Sequence, residues 1–252
     1  MRLLSRRLAL ALPLLLVAAM APPMARAAEQ VDLLLVLAAD VSRSVTQPKF
    51  ELQRQGYAKA IADPRVLDAI RSGPRQRIAV AFLEWSGYGN QQVVIDWTII
   101  DGPASAQAFG DRLLESPRSF ADRTSISGGI DFAVAALKQA PFESERQTID
   151  VSGDGTNNSG RDVILARDDA LALGININGL VILSDQPLTW NPEHTNPPGG
   201  LAKYYKDNVT GGPGSFVIEA TDFNAFGEAI IKKMIAEIAF VGPQPGNGPI
   251  LR

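Results

Sequence analysis

The sequence predicts a doubly wound α/β fold: a mostly parallel six-stranded sheet with one antiparallel edge strand and helices on both faces. Three observations carry this. Short β-rich apolar runs recur along the chain, helical patterns separate most of them, and one pair of runs is joined by only six residues. Strands alternating with helices require right-handed crossovers and therefore parallel pairing. Six residues are too few for such a crossover and give a hairpin instead.

The first run, residues 31–39, is nearly continuous Leu, Val and Ala, as in a central strand covered on both faces. Pro48 suits a helix start and opens a pattern over 48–61. Runs at 77–85 and 92–100 form the hairpin around Ser86-Gly87-Tyr88-Gly89-Asn90-Gln91. Helical patterns at 104–114 and 127–137 lead to a fourth strand at 148–152. A helix at 161–173, strands at 175–183 and 215–220, and a last helix at 223–238 complete the series.

The flanks read differently. Arg2, Arg6 and Arg7 precede an apolar stretch at 8–20, and Ala25-Arg26-Ala27 offers a small-residue cleavage site, so residues 1–27 are predicted to be a signal peptide. Thirteen apolar residues interrupted by Pro13 are too short for a permanent span. Ser5-Arg6-Arg7 also resembles a twin-arginine signal. The mature protein is thus expected to be periplasmic or secreted, with one domain over 31–238 and a Gly- and Pro-rich flexible tail at 239–252.

Composition narrows the chemistry. The chain is 46% hydrophobic and 20% charged, enough for a sizeable core. Residues 1–27 hold four arginines and no acid, so the remainder has 20 basic against 27 acidic residues, a net charge of −7. That surface argues against nucleic acid or an anionic membrane as partner. No cysteine is present, which excludes disulfides, thiolate metal sites and cysteine nucleophiles. The single histidine, His194, cannot build a histidine-rich zinc site, and no Gly-x-Ser-x-Gly elbow accompanies it. In its proline-rich surroundings it reads as an exposed loop residue.

Candidate functional residues collect where such sheets bind ligands, at the carboxyl ends of the strands. Asp40 ends the first strand, and Ser42 and Ser44 follow it. Asp122-Arg123-Thr124-Ser125 precedes a helix and Gly153-Asp154-Gly155-Thr156-Asn157-Asn158 follows the fourth strand, bringing more hydroxyls and a second carboxylate to the same edge. Hard oxygen donors of this kind suit Mg²⁺ or Mn²⁺, with water completing the octahedron and one position open to a partner's oxygen.

With these residues the chain resembles a von Willebrand factor type A domain with its metal-ion-dependent adhesion site, over residues 31–238. Within that family it is similar to a group of exported bacterial proteins of unassigned function. The resemblance implies a metal held by Asp40, Ser42, Ser44, Thr124 and Asp154, the hydroxyls directly and the aspartates mainly through water. It further implies a protein partner that offers an acidic side chain, and no catalysis. Ser125 and Ser127 compete with Thr124 for its role.

Two features depart from that pattern. A Ser or Thr normally stands beside the closing aspartate, where this chain has Gly153. Asp150 shares a side of its strand with Ser152 in a segment expected to be buried, so it needs a partner, structural or in support of the metal. Gly153 to Asn158 also resembles the Mg²⁺-binding segment of haloacid-dehalogenase-type phosphatases. That family requires a second carboxylate where this chain has Ser42, and a serine cannot act as the general acid. A metal-free interaction scaffold is the other alternative. For partner contact, the exposed aromatics expected at this edge are Tyr88 in the hairpin turn and Trp190 in the long loop after the fifth strand.

Overall fold

A computed structural model describes residues 28–183 and 191–239. The predicted signal peptide, all of the predicted tail after Ala239, and Trp190 lie outside the described residues. In chain order the elements are β1 (Glu29–Gln30), β2 (Leu34–Asp40), α1 (Gln47–Ile61), α2 (Pro64–Arg71), β3 (Ile78–Trp85), β4 (Gln91–Ile100), α3 (Pro103–Glu115) and α4 (Ile126–Lys138). These are followed by β5 (Phe142–Glu143), β6 (Gln147–Gly153), α5 (Val163–Ala172), β7 (Asn176–Ile182), α6 (Pro192–Thr195), α7 (Leu201–Asn208), β8 (Val217–Ala220) and α8 (Phe226–Ala239).

Six strands form one sheet in the order β4-β3-β2-β6-β7-β8, parallel throughout except for the β3–β4 hairpin at one edge, as the sequence predicts. Every residue of β2 and β3 is buried, because helices cover both faces. Period-two alternation divides the core: Leu35, Leu37 and Ala39 face α1, α2, α3 and α8, while Leu34, Val36 and Ala38 face α4, α5 and α7. Edge strand β4 instead mixes exposed and partly buried residues with buried Ile95 and Ile100.

Five short elements were not anticipated. α2 and α7 have eight residues each, α6 has four, and β1 and β5 form a separate two-residue parallel ladder. Segments of two turns or fewer are too short for hydrophobic periodicity to declare itself. For α2 a local signal did exist, since Asp63 accepts from the Arg65 N–H and Pro64 begins the first turn.

The partner Asp150 requires is Lys233 on α8. Its Nζ lies 2.8 Å from Asp150 Oδ1 and donates to Glu237 Oε1 at 2.5 Å, and all three side chains are buried. Asn178 Nδ2 also donates to Glu237 Oε1, at 2.9 Å, and Tyr57 Oη donates to Ser152 Oγ at 2.8 Å on the same side of the sheet. Two carboxylates thus share one ammonium in a dry environment. Burial pushes Asp150 up to about 7 from its ordinary 3.8, against the pull of Lys233 and with the help of Glu237.

This cluster ties the last helix to the centre of the sheet, and its protons leave a signature. Because the folded pKa lies above the unfolded one, the contribution of Asp150 to stability is fully present below about 3.8 and is lost as pH rises to about 7. Urea unfolding across that range should show a declining stability that Asp150→Asn flattens. Lys233→Met, which leaves two buried acids without their cation, should cost about 3–5 kcal/mol at neutral pH.

Candidate metal centre

β2 and β6 are neighbouring parallel strands in register, with Ala39 opposite Ser152. Asp40 and Asp154, one residue past the end of β6, therefore leave the sheet at the same edge. Asp40 Oδ1 accepts the Ser42 N–H at 2.7 Å, a local turn that folds the chain back above the strand. Ser42 Oγ then lies 3.0 Å from Ser44 Oγ, and Ser44 Oγ donates to Asp154 Oδ1 at 2.6 Å. Four of the five predicted residues are linked in this way.

Thr124, the fifth, arrives on the loop before α4. Its backbone and that of Asn158 clasp the two loops together: Thr124 N–H donates to Asn158 Oδ1 at 2.9 Å, and Asn158 N–H to Thr124 O at 2.8 Å. The competing Ser125 hydroxyl is engaged as the α4 cap, accepting from Gly128 N–H. Thr124 Oγ1 is hydrogen-bonded to His194 Nε2 at 3.2 Å.

His194 corrects the sequence reading. It is 4% exposed rather than an exposed loop residue, and its Nδ1 lies 3.2 Å from Thr156 Oγ1. The α6 turn that carries it docks onto the loop after β6, where Thr156 N–H donates to His194 O at 2.8 Å. Burial lowers its pKa against the attraction of Asp154, which favours the neutral ring.

The two aspartates are electrostatically unfinished. Asp40 Oδ2 and Asp154 Oδ2 are buried and have no hydrogen-bond partner among the described residues, and Lys49 Nζ stands 3.7 Å from the latter. Burial, then the neighbouring Asp154, pushes the Asp40 carboxyl up to about 8; burial also raises Asp154. Two adjacent acids in so dry a place resist joint ionisation, and a divalent cation removes that conflict by neutralising both. Among the described residues no three Asp, Glu, His or Cys side chains form a cage by themselves. The donor set is therefore two carboxylates completed by hydroxyls, and with two orphaned carboxylate oxygens aimed into the site it fits a hard divalent cation.

Several supports escaped the sequence reading. Arg118 Nη2 donates to the carbonyls of Val41 and Ser42 at 2.6 and 2.9 Å, holding the Asp40 loop from below. The Arg118 segment is itself fixed by Glu84, which accepts Ser119 N–H at 2.8 Å while paired with buried Arg54. Gln53 Nε2 donates to Asp40 O at 3.3 Å. Each is an ordinary charged or amide residue in sequence, with no local signal to single it out.

Gly153, the departure from the family pattern, has a steric cause. A Cβ there would lie 2.5 Å from Tyr205 Oη and 3.1 Å from Asp40 Oδ2. The hydroxyl of Tyr205, a fully buried residue of α7, takes the space that a Ser or Thr side chain would occupy. On the other side of Asp154, a Cβ on Gly155 would fall on the His194 ring. Of the two aromatics expected at the rim, Tyr88 is 75% exposed, and its N–H donates to Ser159 Oγ at 3.1 Å, beside the loop that carries Asp154.

Comparison with known proteins agrees with this fold. The chain belongs to the family described as "Protein of unknown function (DUF1194)", whose profile matches residues 30–241. No curated protein matches in sequence. Among solved structures, the chain is similar to proximal thread matrix protein 1 from the mussel byssus, with zinc occupying its MIDAS motif (11% identity, TM-score 0.57, 84% of this chain and 49% of that one). It is also similar to the pilus adhesin SpaC from Lactobacillus rhamnosus GG (13%, TM-score 0.58, 84% and 31%) and to a von Willebrand factor type A protein from Catenulispora acidiphila (16%, TM-score 0.54, 83% and 43%). The chain spans half or less of the length of each, and the fold they share with it is that of a von Willebrand factor type A domain. No helix among the described residues is long and apolar enough to cross a membrane.

The steric reading of Gly153 has a simple check. Gly153→Ala should destabilise the protein by about 1–3 kcal/mol through overpacking, and Tyr205→Phe, which removes the opposing hydroxyl, should return much of that loss in the double variant. Equal losses in both backgrounds on chemical denaturation would mean that Tyr205 is not what excludes a side chain at 153.

Proposed function

We propose that this chain is an exported, non-enzymatic binding module that captures an acidic group of a protein partner through a divalent cation held by Asp40, Ser42, Ser44, Thr124 and Asp154. One observation carries the reading: two buried carboxylates from neighbouring strands converge with hydroxyls at the sheet's ligand-binding edge and leave an oxygen each unpaired. A cation supplies there positive charge at both acids, of which Lys49 approaches only Asp154, at 3.7 Å, and an open coordination position that a partner's carboxylate completes. From the hydroxyls and carboxylates alone the ion is Mg²⁺ or Mn²⁺. The zinc-occupied MIDAS of the mussel byssus protein supports a metal in this fold.

The residues of the chain divide the work. Asp40 and Asp154 provide charge, while Ser42, Ser44 and Thr124 provide small neutral donors that add no further negative charge, so the ion can still accept a partner's carboxylate. Arg118 and Gln53 keep the loop in place by its carbonyls. Tyr88, at the rim, offers apolar contact area to the partner. A phosphatase reading lacks its general acid, because Ser42 stands where a second carboxylate would be needed.

Thermal melting of the mature protein in chelator and in millimolar Mg²⁺ or Mn²⁺ tests the metal. Binding to the folded state alone stabilises by about 2.7 kcal/mol at a hundredfold excess over the dissociation constant. Wild type should shift upward in melting temperature and Asp40→Ala should not. A wild type that neither shifts nor gives a binding heat at saturating metal would sink the metal reading and leave a metal-free scaffold. Capture of the partner follows the same logic: a complex formed in metal should dissolve in chelator and fail with Asp40→Ala.

A further inference from the structure

Hydrogen bonds join Asp40, Ser42, Ser44 and Asp154 to one another, but among the described residues those of Thr124 run to Asn158 and His194 instead. The fold makes room for the imidazole. A Cβ on Gly155 would lie 2.3 Å from its Nε2, and the bond from Thr156 N–H to His194 O fixes the turn that carries it. Four contacts then close a ring around Thr124. Its N–H donates to Asn158 Oδ1 at 2.9 Å, its carbonyl accepts Asn158 N–H at 2.8 Å, Asn158 Nδ2 stands 3.4 Å from His194 Nδ1, and His194 Nε2 stands 3.2 Å from Thr124 Oγ1.

The protons in this ring are fixed in sequence. A backbone N–H can only donate, so the amide atom of Asn158 that faces Thr124 N–H is the oxygen, and the NH₂ is the group that faces His194. An NH₂ is a donor alone, so Nδ1 accepts, from Asn158 and from the Thr156 hydroxyl at 3.2 Å. A neutral ring then carries its proton on Nε2, and that N–H donates to Thr124 Oγ1. A threonine oxygen has two lone pairs and one hydrogen. His194 takes one lone pair, and the second stays available.

We infer that His194 and Asn158 are positioning residues for Thr124: their bonds hold its side chain in one rotamer and direct the remaining hydroxyl lone pair to the cation. His194 itself touches no ion. A loop threonine without such bonds chooses among staggered rotamers, of which one serves a metal. The inference rests on the metal reading above and deepens it, naming the residues outside the five that decide whether Thr124 can serve.

Two measurements test it. The chain has a single histidine, so proton–nitrogen NMR of histidine-labelled, metal-free protein reads one ring. The proton should sit on Nε2 and Nδ1 should be bare; a proton on Nδ1 overturns the inference. Dissociation constants for Mg²⁺ are then measured by calorimetry on the wild type, Asp40→Ala, Thr124→Val, His194→Leu, His194→Gln and the double variant Thr124→Val/His194→Leu. His194→Leu should weaken Mg²⁺ binding by about 10–100-fold, and His194→Gln, whose amide N–H can still donate to Thr124, should recover part of that loss. In the Thr124→Val background His194→Leu should cost little more. A role confined to packing would give the same loss in both backgrounds and no recovery with Gln, and either result overturns the inference. Mg²⁺ binding that Asp40→Ala abolishes and His194→Leu leaves unchanged upholds the metal site and overturns the inference alone, whereas a wild type that binds no Mg²⁺ overturns both. Should His194→Leu not fold, Asn158→Ala, which opens the ring of bonds from the other side, takes its place in the cycle.

Discussion

The approach of two carboxylates in a place without water is the constraint around which this protein is arranged. Asp40 and Asp154 are forced together by the pairing of β2 with β6 and kept dry by Tyr205 and the overlying loops. Burial raises the cost of ionising both, and the neighbouring Asp154 adds to it at Asp40. The surroundings offset that cost only in part: one oxygen of each acid is engaged, by Ser42 N–H and Ser44 Oγ, while Asp154 Oδ2 has only Lys49 Nζ at 3.7 Å and Asp40 Oδ2 has no hydrogen-bond partner among the described residues. A rigid parallel sheet is what allows such a pair to persist, since neither strand can slide away without disrupting a core buried on both faces.

The loops at this edge are braced from several directions. Thr124 and Asn158 clasp through backbone and amide groups, the α6 turn docks on Thr156, and Arg118 grips two consecutive carbonyls behind Asp40. The Arg118 bonds run back through Ser119 and Glu84 to Arg54, a fully buried charge pair between α1 and β3. A buried pair of this kind contributes little net stability compared with apolar packing. Its value here is positional, because the donors of Arg54 and the acceptors of Glu84 fix the backbone that leads to the site.

A second buried polar system lies beneath α8, where Asp150, Lys233 and Glu237 share a single cation. It connects the last helix to β6, the strand that carries Asp154 beyond its end. Tyr57 bonds to Ser152, between Asp150 and the site in sequence. The strand is therefore polar on the α8 side at both Asp150 and Ser152, the first ion-paired to Lys233 of α8 and the second hydrogen-bonded to Tyr57 of α1.

The sheet, its hairpin edge and the candidate donors Asp40, Ser42 and Ser44 could be read from the sequence alone. Continuous apolar runs and their spacing specify buried parallel strands, and a carboxylate with alternate hydroxyls at a strand end is a local pattern, so Asp40, Ser42 and Ser44 were legible without a structure. Thr124 and Asp154 were legible from the family pattern, though Gly153 remained a puzzle. Tertiary structure decided the rest. It set Gly153 against the Tyr205 hydroxyl, gave Asp150 its lysine, and moved His194 from the surface to a buried position beside Thr124 and Thr156. The reason is the same in each case. A charged or aromatic side chain reveals its role only through the partner that satisfies or displaces it. Those partners lie from 38 residues away, for His194 and Thr156, to 95, for Tyr57 and Ser152, beyond the reach of any local pattern.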